Sequence, residues 1–143
     1  MPIINGKYQC FGKEYSARNI EMENDFFALD IDGAYETGIV NKIRRSFEIK
    51  EDSVILRDKF EYSDITDSVT ERMISWTKPV TGEGYVDLGT AKVVFDKDRY
   101  AVSVSEDVYR AHGDTHDVRV YLIDYIPVNK AETEFGFEIK IRG

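Results

Sequence analysis

NKIRRSFEIKEDSVILRDKFEY, Asn41 to Tyr62, is the stretch whose alternation decides the fold. Folded back about Glu51 and Asp52, it sets Ile49 against Val54, Phe47 against Leu56, Arg45 against Asp58, Ile43 against Phe60 and Asn41 against Tyr62. All five pairs fall on one face, because side chains alternate along a strand. Lys42, Arg44, Ser46, Glu48 and Lys50 take the other face of the first strand, opposite Ser53, Ile55, Arg57, Lys59 and Glu61. A slip of one residue would drive the charged set into the core, so the pattern fixes the register. Arg45 and Asp58 are the one charged pair on the apolar face. If buried, each must satisfy the other.

Outward from this hairpin the same period continues. Ile3 and Ile4 precede Asn5-Gly6, a two-residue turn signal, with Tyr8, Cys10 and Phe11 beyond it, so a short hairpin is expected. Strands are expected at 17–22 and 26–31, with Asn24-Asp25 between them and Asp32-Gly33 turning the chain afterwards. Further strands are expected at 69–77, 85–88, 91–95, 99–105, 118–126 and 135–141. Thr81 to Gly84 reads as a loop, Asp96-Lys97-Asp98 as a hairpin turn, and the pattern lapses from Asp107 to Asp117. Ten to twelve short strands without a helical stretch predict an all-β protein, an antiparallel β-sandwich forming a single domain over 1–143.

Composition limits the partners. The 143 residues include 42% hydrophobic and 13% aromatic side chains with only 3 prolines, the profile of an ordinary folded domain. A formal charge of −8 argues against nucleic acid, whose affinity comes from Lys and Arg contacts to phosphate. No apolar run approaches the ~20 residues of a helical membrane span. Cys10 is the single cysteine, which excludes an intrachain disulfide.

The quoted hairpin, with Pro-Ile-Ile-Asn-Gly-Lys-Tyr-Gln at Pro2–Gln9 and Asp-Ile-Asp-Gly-Ala-Tyr at Asp30–Tyr35, resembles the C-terminal β-sheet domain of heparinase II/III-type polysaccharide lyases. The resemblance covers residues 2 to 62 and continues loosely to the end. It implies a non-catalytic domain that packs on an α/α toroid absent here and walls a cleft for a uronate polysaccharide. In similar enzymes the toroid carries most catalytic groups, and a His-Asn pair lies just upstream of the segment matching Pro2. Such lyases remove the proton next to a uronate carboxylate through Tyr or His. Tyr35 is the residue the resemblance carries over as a catalytic and substrate-binding candidate. Some members hold a structural zinc near the place of Gln9, but glutamine is a poor zinc ligand.

Three other groups carry candidate chemistry. His112, Asp114 and His116 gather in one irregular stretch and offer zinc-type donors or a substrate contact. A polar loop whose aspartates hold turns explains the same residues, and no metal is favoured. Asp30-Ile31-Asp32-Gly33 fails the calcium-loop pattern, since its glycine comes too early. No cofactor is expected. Lys42 and Arg44, with Lys50, Arg57 and Lys59, form a basic face that could meet an acidic polysaccharide, although Glu48 and Glu61 sit among them. Trp76 and the tyrosines suggest the alternative of a stand-alone carbohydrate-binding or scaffold sandwich.

Overall fold

A computed structural model describes residues 1–110 and 116–141. The hairpin forms as its alternation requires. Strands β4 (Lys42–Ile49) and β5 (Ser53–Glu61) pair Ile43 with Phe60, Arg45 with Asp58, Phe47 with Leu56 and Ile49 with Val54. Lys50 N–H closes the turn on Ser53 O at 2.8 Å, and Asn41 N–H reaches Glu61 O at 2.9 Å.

Around this hairpin the described residues form twelve strands in two antiparallel sheets. The remaining strands are β1 (Pro2–Ile4), β2 (Arg18–Glu23), β3 (Phe26–Asp30), β6 (Val69–Ser75), β7 (Val80–Gly82), β8 (Tyr85–Asp87), β9 (Ala91–Val94), β10 (Tyr100–Tyr109), β11 (Val118–Pro127) and β12 (Glu134–Ile141). The larger sheet runs β2-β3-β4-β5-β12-β9-β8-β7, and the smaller runs β1-β6-β11-β10. The two inner faces bury one core, to which the larger sheet gives Ile43, Phe60, Phe135 and Phe137 and the smaller gives Ile4, Tyr100, Ile123 and Tyr125. Aromatic rings bridge the sheets: Tyr125 lies 4.7 Å from Phe137, and Tyr100 lies 5.3 Å from Phe137 and 5.6 Å from Phe135. Each such pair adds about 0.5–1.5 kcal/mol beyond the area it removes from water. The architecture is a β-sandwich, as the alternation predicts.

Four expectations are corrected. Asn5-Gly6 makes a tight turn with φ of 51° and 75°, but it closes only one bridge, Ile4 to Lys7. Beyond it the chain leaves the sheet, and β1 pairs with β6 instead. Thr81-Gly82 is not loop but part of β7, which turns at Glu83-Gly84 into β8; Gly84 sits at φ +77°. Asp96-Lys97-Asp98 is a turn without a hairpin: β9 lies in the larger sheet and β10 in the smaller, so the turn carries the chain across. Finally, β10 continues to Tyr109, paired with Val118, where the pattern had lapsed. There residues 103–109 are all exposed, although Tyr121 and Val120 opposite Glu106 and Asp107 are buried. Nothing on that stretch has to be apolar.

Candidate functional site

The first cluster of interest lies inside the sandwich, where the charged pair of the hairpin meets a third strand. Arg45 donates to both oxygens of Asp58, Nε to Oδ1 at 2.8 Å and Nη2 to Oδ2 at 2.5 Å. The same Nη2 is 3.5 Å from Oε2 of Glu71 on β6, so one guanidinium faces two buried carboxyls. Burial would raise the Asp58 carboxyl, but its hydrogen bonds with Glu71 and Arg45 hold it below the ordinary carboxylate range. Burial, then the charge of Asp58, pushes Glu71 well above that range. The two carboxyls therefore share one negative charge beside the Arg45 guanidinium, with the Met1 amine also 3.6 Å from Glu71 Oε2, in a medium that penalises unpaired ions. Glu71 Oε1 and the hydroxyl of its cross-strand neighbour Tyr125 are buried without a hydrogen-bond partner.

Tyr35 stands at the edge of this cluster. It is 3% exposed, and its hydroxyl donates to Pro2 O at 2.8 Å. Burial, reinforced by the charge of Glu71, pushes the phenol above its ordinary value. A base for proton abstraction needs the opposite shift and a path to substrate. In this chain the Tyr35 side chain ties β1 to the loop that follows a 3-10 turn at Asp32–Ala34.

Outside Tyr35 a cleft of about 540 Å³ opens between the 10–17 segment and the 32–41 loop. Glu14, Tyr15, Arg18, Asp32, Glu36 and Asn41 supply its polar lining. Arg18 Nη2 pairs with Asp32 Oδ2 at 2.5 Å, and Lys7 Nζ pairs with Glu36 Oε2 at 2.5 Å across the rim. Three carboxylates against two cations leave the cleft acidic.

The other residues singled out from sequence are dispersed. Arg44 donates to Glu21 Oε2 at 2.7 Å, Asp30 Oδ1 at 3.2 Å and Asn19 O at 2.6 Å, and Lys42 Nζ lies 3.9 Å from Asp30 Oδ2. Arg44 holds the edge strand β2 and its neighbour β3 to the hairpin, and Lys42 adds a contact to β3. Arg57 and Lys50 pair with Glu48, and Lys59 pairs with Glu134, so the basic face is laced with its own counter-charges. His116 is exposed beyond the end of β10, near the Arg110–Asp117 pair. His112 and Asp114 lie outside the described residues. Among the described residues no three His, Cys, Asp or Glu side chains gather to hold a metal ion.

A second surface was anticipated only through Trp76 and the tyrosines, with no strand face assigned to them. On the outer face of the smaller sheet, Arg72, Asp124 and Ser103 form one cross-strand row and Ile74, Leu122 and Ser105 the next. Trp76 follows one residue past β6 and is 64% exposed; its ring meets Tyr109 edge-to-face at 6.2 Å. At the other end, Arg72 chelates Asp124 through two 2.6 Å bonds and lies over the ring of Tyr8 at 5.7 Å.

Comparison of the chain with protein-family models and with characterised proteins finds no match.

Proposed function

We propose that this chain is the non-catalytic β-sandwich domain of a heparinase II/III-like polysaccharide lyase, forming one wall of a cleft for a uronate polymer. One observation carries the reading. Stretches that bear the family resemblance meet in the structure: Pro2 accepts from Tyr35, Tyr35 feels the charges of Arg45 and Asp58, Lys7 pairs with Glu36, and Asp32 and Tyr35 line the open cleft. A wall built of turns and carboxylates suits a domain that shapes a site whose chemistry comes from elsewhere. The cleft's own carboxylates oppose a uronate chain, so the neutralising cations and the proton-transfer groups belong to the neighbouring toroid domain.

The test is the complete gene product assayed on alginate, heparan sulfate and hyaluronan, following absorbance of the unsaturated ends that β-elimination creates. Cleavage that requires helical repeats encoded upstream of Met1 supports the reading. A reading frame without such repeats, or a complete product inert on uronate polymers, contradicts it.

A further inference from the structure

We infer that the outer face of the smaller sheet is a binding platform for an uncharged oligosaccharide, separate from the cleft and independent of the lyase reading. The face is built from three strands whose register sets its chemistry row by row. Arg72, Asp124 and Ser103 make a polar row; Ile74, Leu122 and Ser105 make an apolar row edged by a hydroxyl. Trp76 and Tyr109 meet edge-to-face at the far end of the strip, and Val120, paired with Asp107, shares this face by register and is 6% exposed. Tyr8, 55% exposed, flanks the opposite end. From Arg72 to Ser75 is three steps of extended strand, about 10 Å, with Trp76 one residue beyond, the span of a short run of sugar rings.

Three features select this occupant. An apolar strip rimmed by polar groups marks a contact surface, and rings at both ends with hydroxyls and an amphiphilic charge pair between them match the C–H faces and hydroxyls of pyranoses. The only guanidinium in the strip is neutralised bidentately by Asp124. With Asp107 in the row beside Val120 and a chain charge of −8, an acidic glycan is repelled rather than selected. A protein partner fits less well, because the buried core of a protein interface is depleted of charge, and here the row of Arg72, Asp124 and Ser103 directly abuts a single short apolar row.

Trp76 is the chain's single tryptophan, so its fluorescence reports on this face alone. The intact chain is titrated with hexasaccharides of β-1,4-glucan, β-1,4-xylan, β-1,4-mannan and β-1,3-glucan, and with an alginate hexasaccharide for comparison. The expected result is a saturable emission change with at least one neutral hexasaccharide and none with alginate. Tyr109→Ala should weaken that binding about tenfold while the chain stays folded, its melting temperature falling by no more than the few degrees that loss of one half-exposed ring pair costs. Calorimetry on Trp76→Ala and on Ile74→Lys should show binding lost in both. No response to any neutral hexasaccharide, a response to alginate alone, or binding retained in Trp76→Ala would each overturn the inference.

Discussion

Arg45 and Asp58 face each other across the central hairpin and are joined by two hydrogen bonds, at 2.8 Å and 2.5 Å, on the side of the sheet that is otherwise apolar. Because Glu71 stands 3.5 Å from the same guanidinium, the two partners are not equivalent. Removing the arginine leaves two buried carboxyls with only the Met1 amine, 3.6 Å from Glu71 Oε2; removing the aspartate leaves the arginine a second acid. Arg45→Met should therefore cost about 3 to 5 kcal/mol in urea unfolding, the usual penalty for a buried charge left without compensation. Asp58→Asn should cost less, about 1 to 3 kcal/mol, as Glu71 ionises in its place. Equal losses in the two variants would show that Glu71 does not share the cation.

The raised affinity of Glu71 for its proton has a defined pH signature. A carboxyl whose pKa is higher folded than unfolded binds an extra proton in the folded state, so its contribution is complete below the unfolded value and is lost as pH rises through the folded one. The window opens at the ordinary value of 4.5 and extends upward. The groups around it are Arg45, Asp58, Tyr35, Tyr125 and the Met1 amine, 3.6 Å from Glu71 Oε2. Glu71→Gln fixes the neutral form, so the variant should gain on the parent as pH is raised from about 5 to about 8 in parallel urea titrations. A constant difference across that range would place the charge elsewhere.

Tyr35 separates a structural role from a chemical one. Its hydroxyl serves the Pro2 carbonyl and is shielded from solvent. Tyr35→Phe should cost about 1 to 3 kcal/mol of stability, because it leaves a buried acceptor unpaired. In the complete gene product the same variant should leave the cleavage rate and its pH profile unchanged. A rate loss exceeding about a hundredfold would mark Tyr35 as an acid or base after all.

Isolated, the chain should hold no uronate polymer. Its cleft sets Glu14, Asp32 and Glu36 against Arg18 and Lys7, both already paired, and the hairpin cations are spent on Glu21, Asp30, Glu48 and Glu134. Titration with alginate at low salt should give no saturable heat. Binding that weakens as salt rises would reveal cations free to meet an anionic chain.

How much of this was legible depended on whether one residue's neighbours are set by its own strand. The hairpin register was readable because a slip would bury Lys42, Arg44 and Lys50, and the Arg45–Asp58 pair followed from the same constraint. Glu71 was not read as a partner, since its meeting with Arg45 depends on how the two sheets stack rather than on local order. Its inward position was visible in principle: Val69, Glu71, Met73 and Ser75 share a face of β6, and a glutamate in such a row asks for a cation. The extension of β10 was hidden for the opposite reason, because a strand whose residues 103–109 are all exposed shows no apolar demand at Glu106. Lys42 and Arg44 looked like a ligand surface while their counter-charges, Asp30 and Glu21, lay on strands whose register with β4 the hairpin alone does not determine.

The most direct measurement of the central claim compares the complete gene product with the isolated chain on uronate polymers, reading the absorbance of newly formed unsaturated ends. The account predicts cleavage by the complete protein and none by residues 1–143. Unsaturated ends released by the isolated chain, or none from either protein, would contradict it.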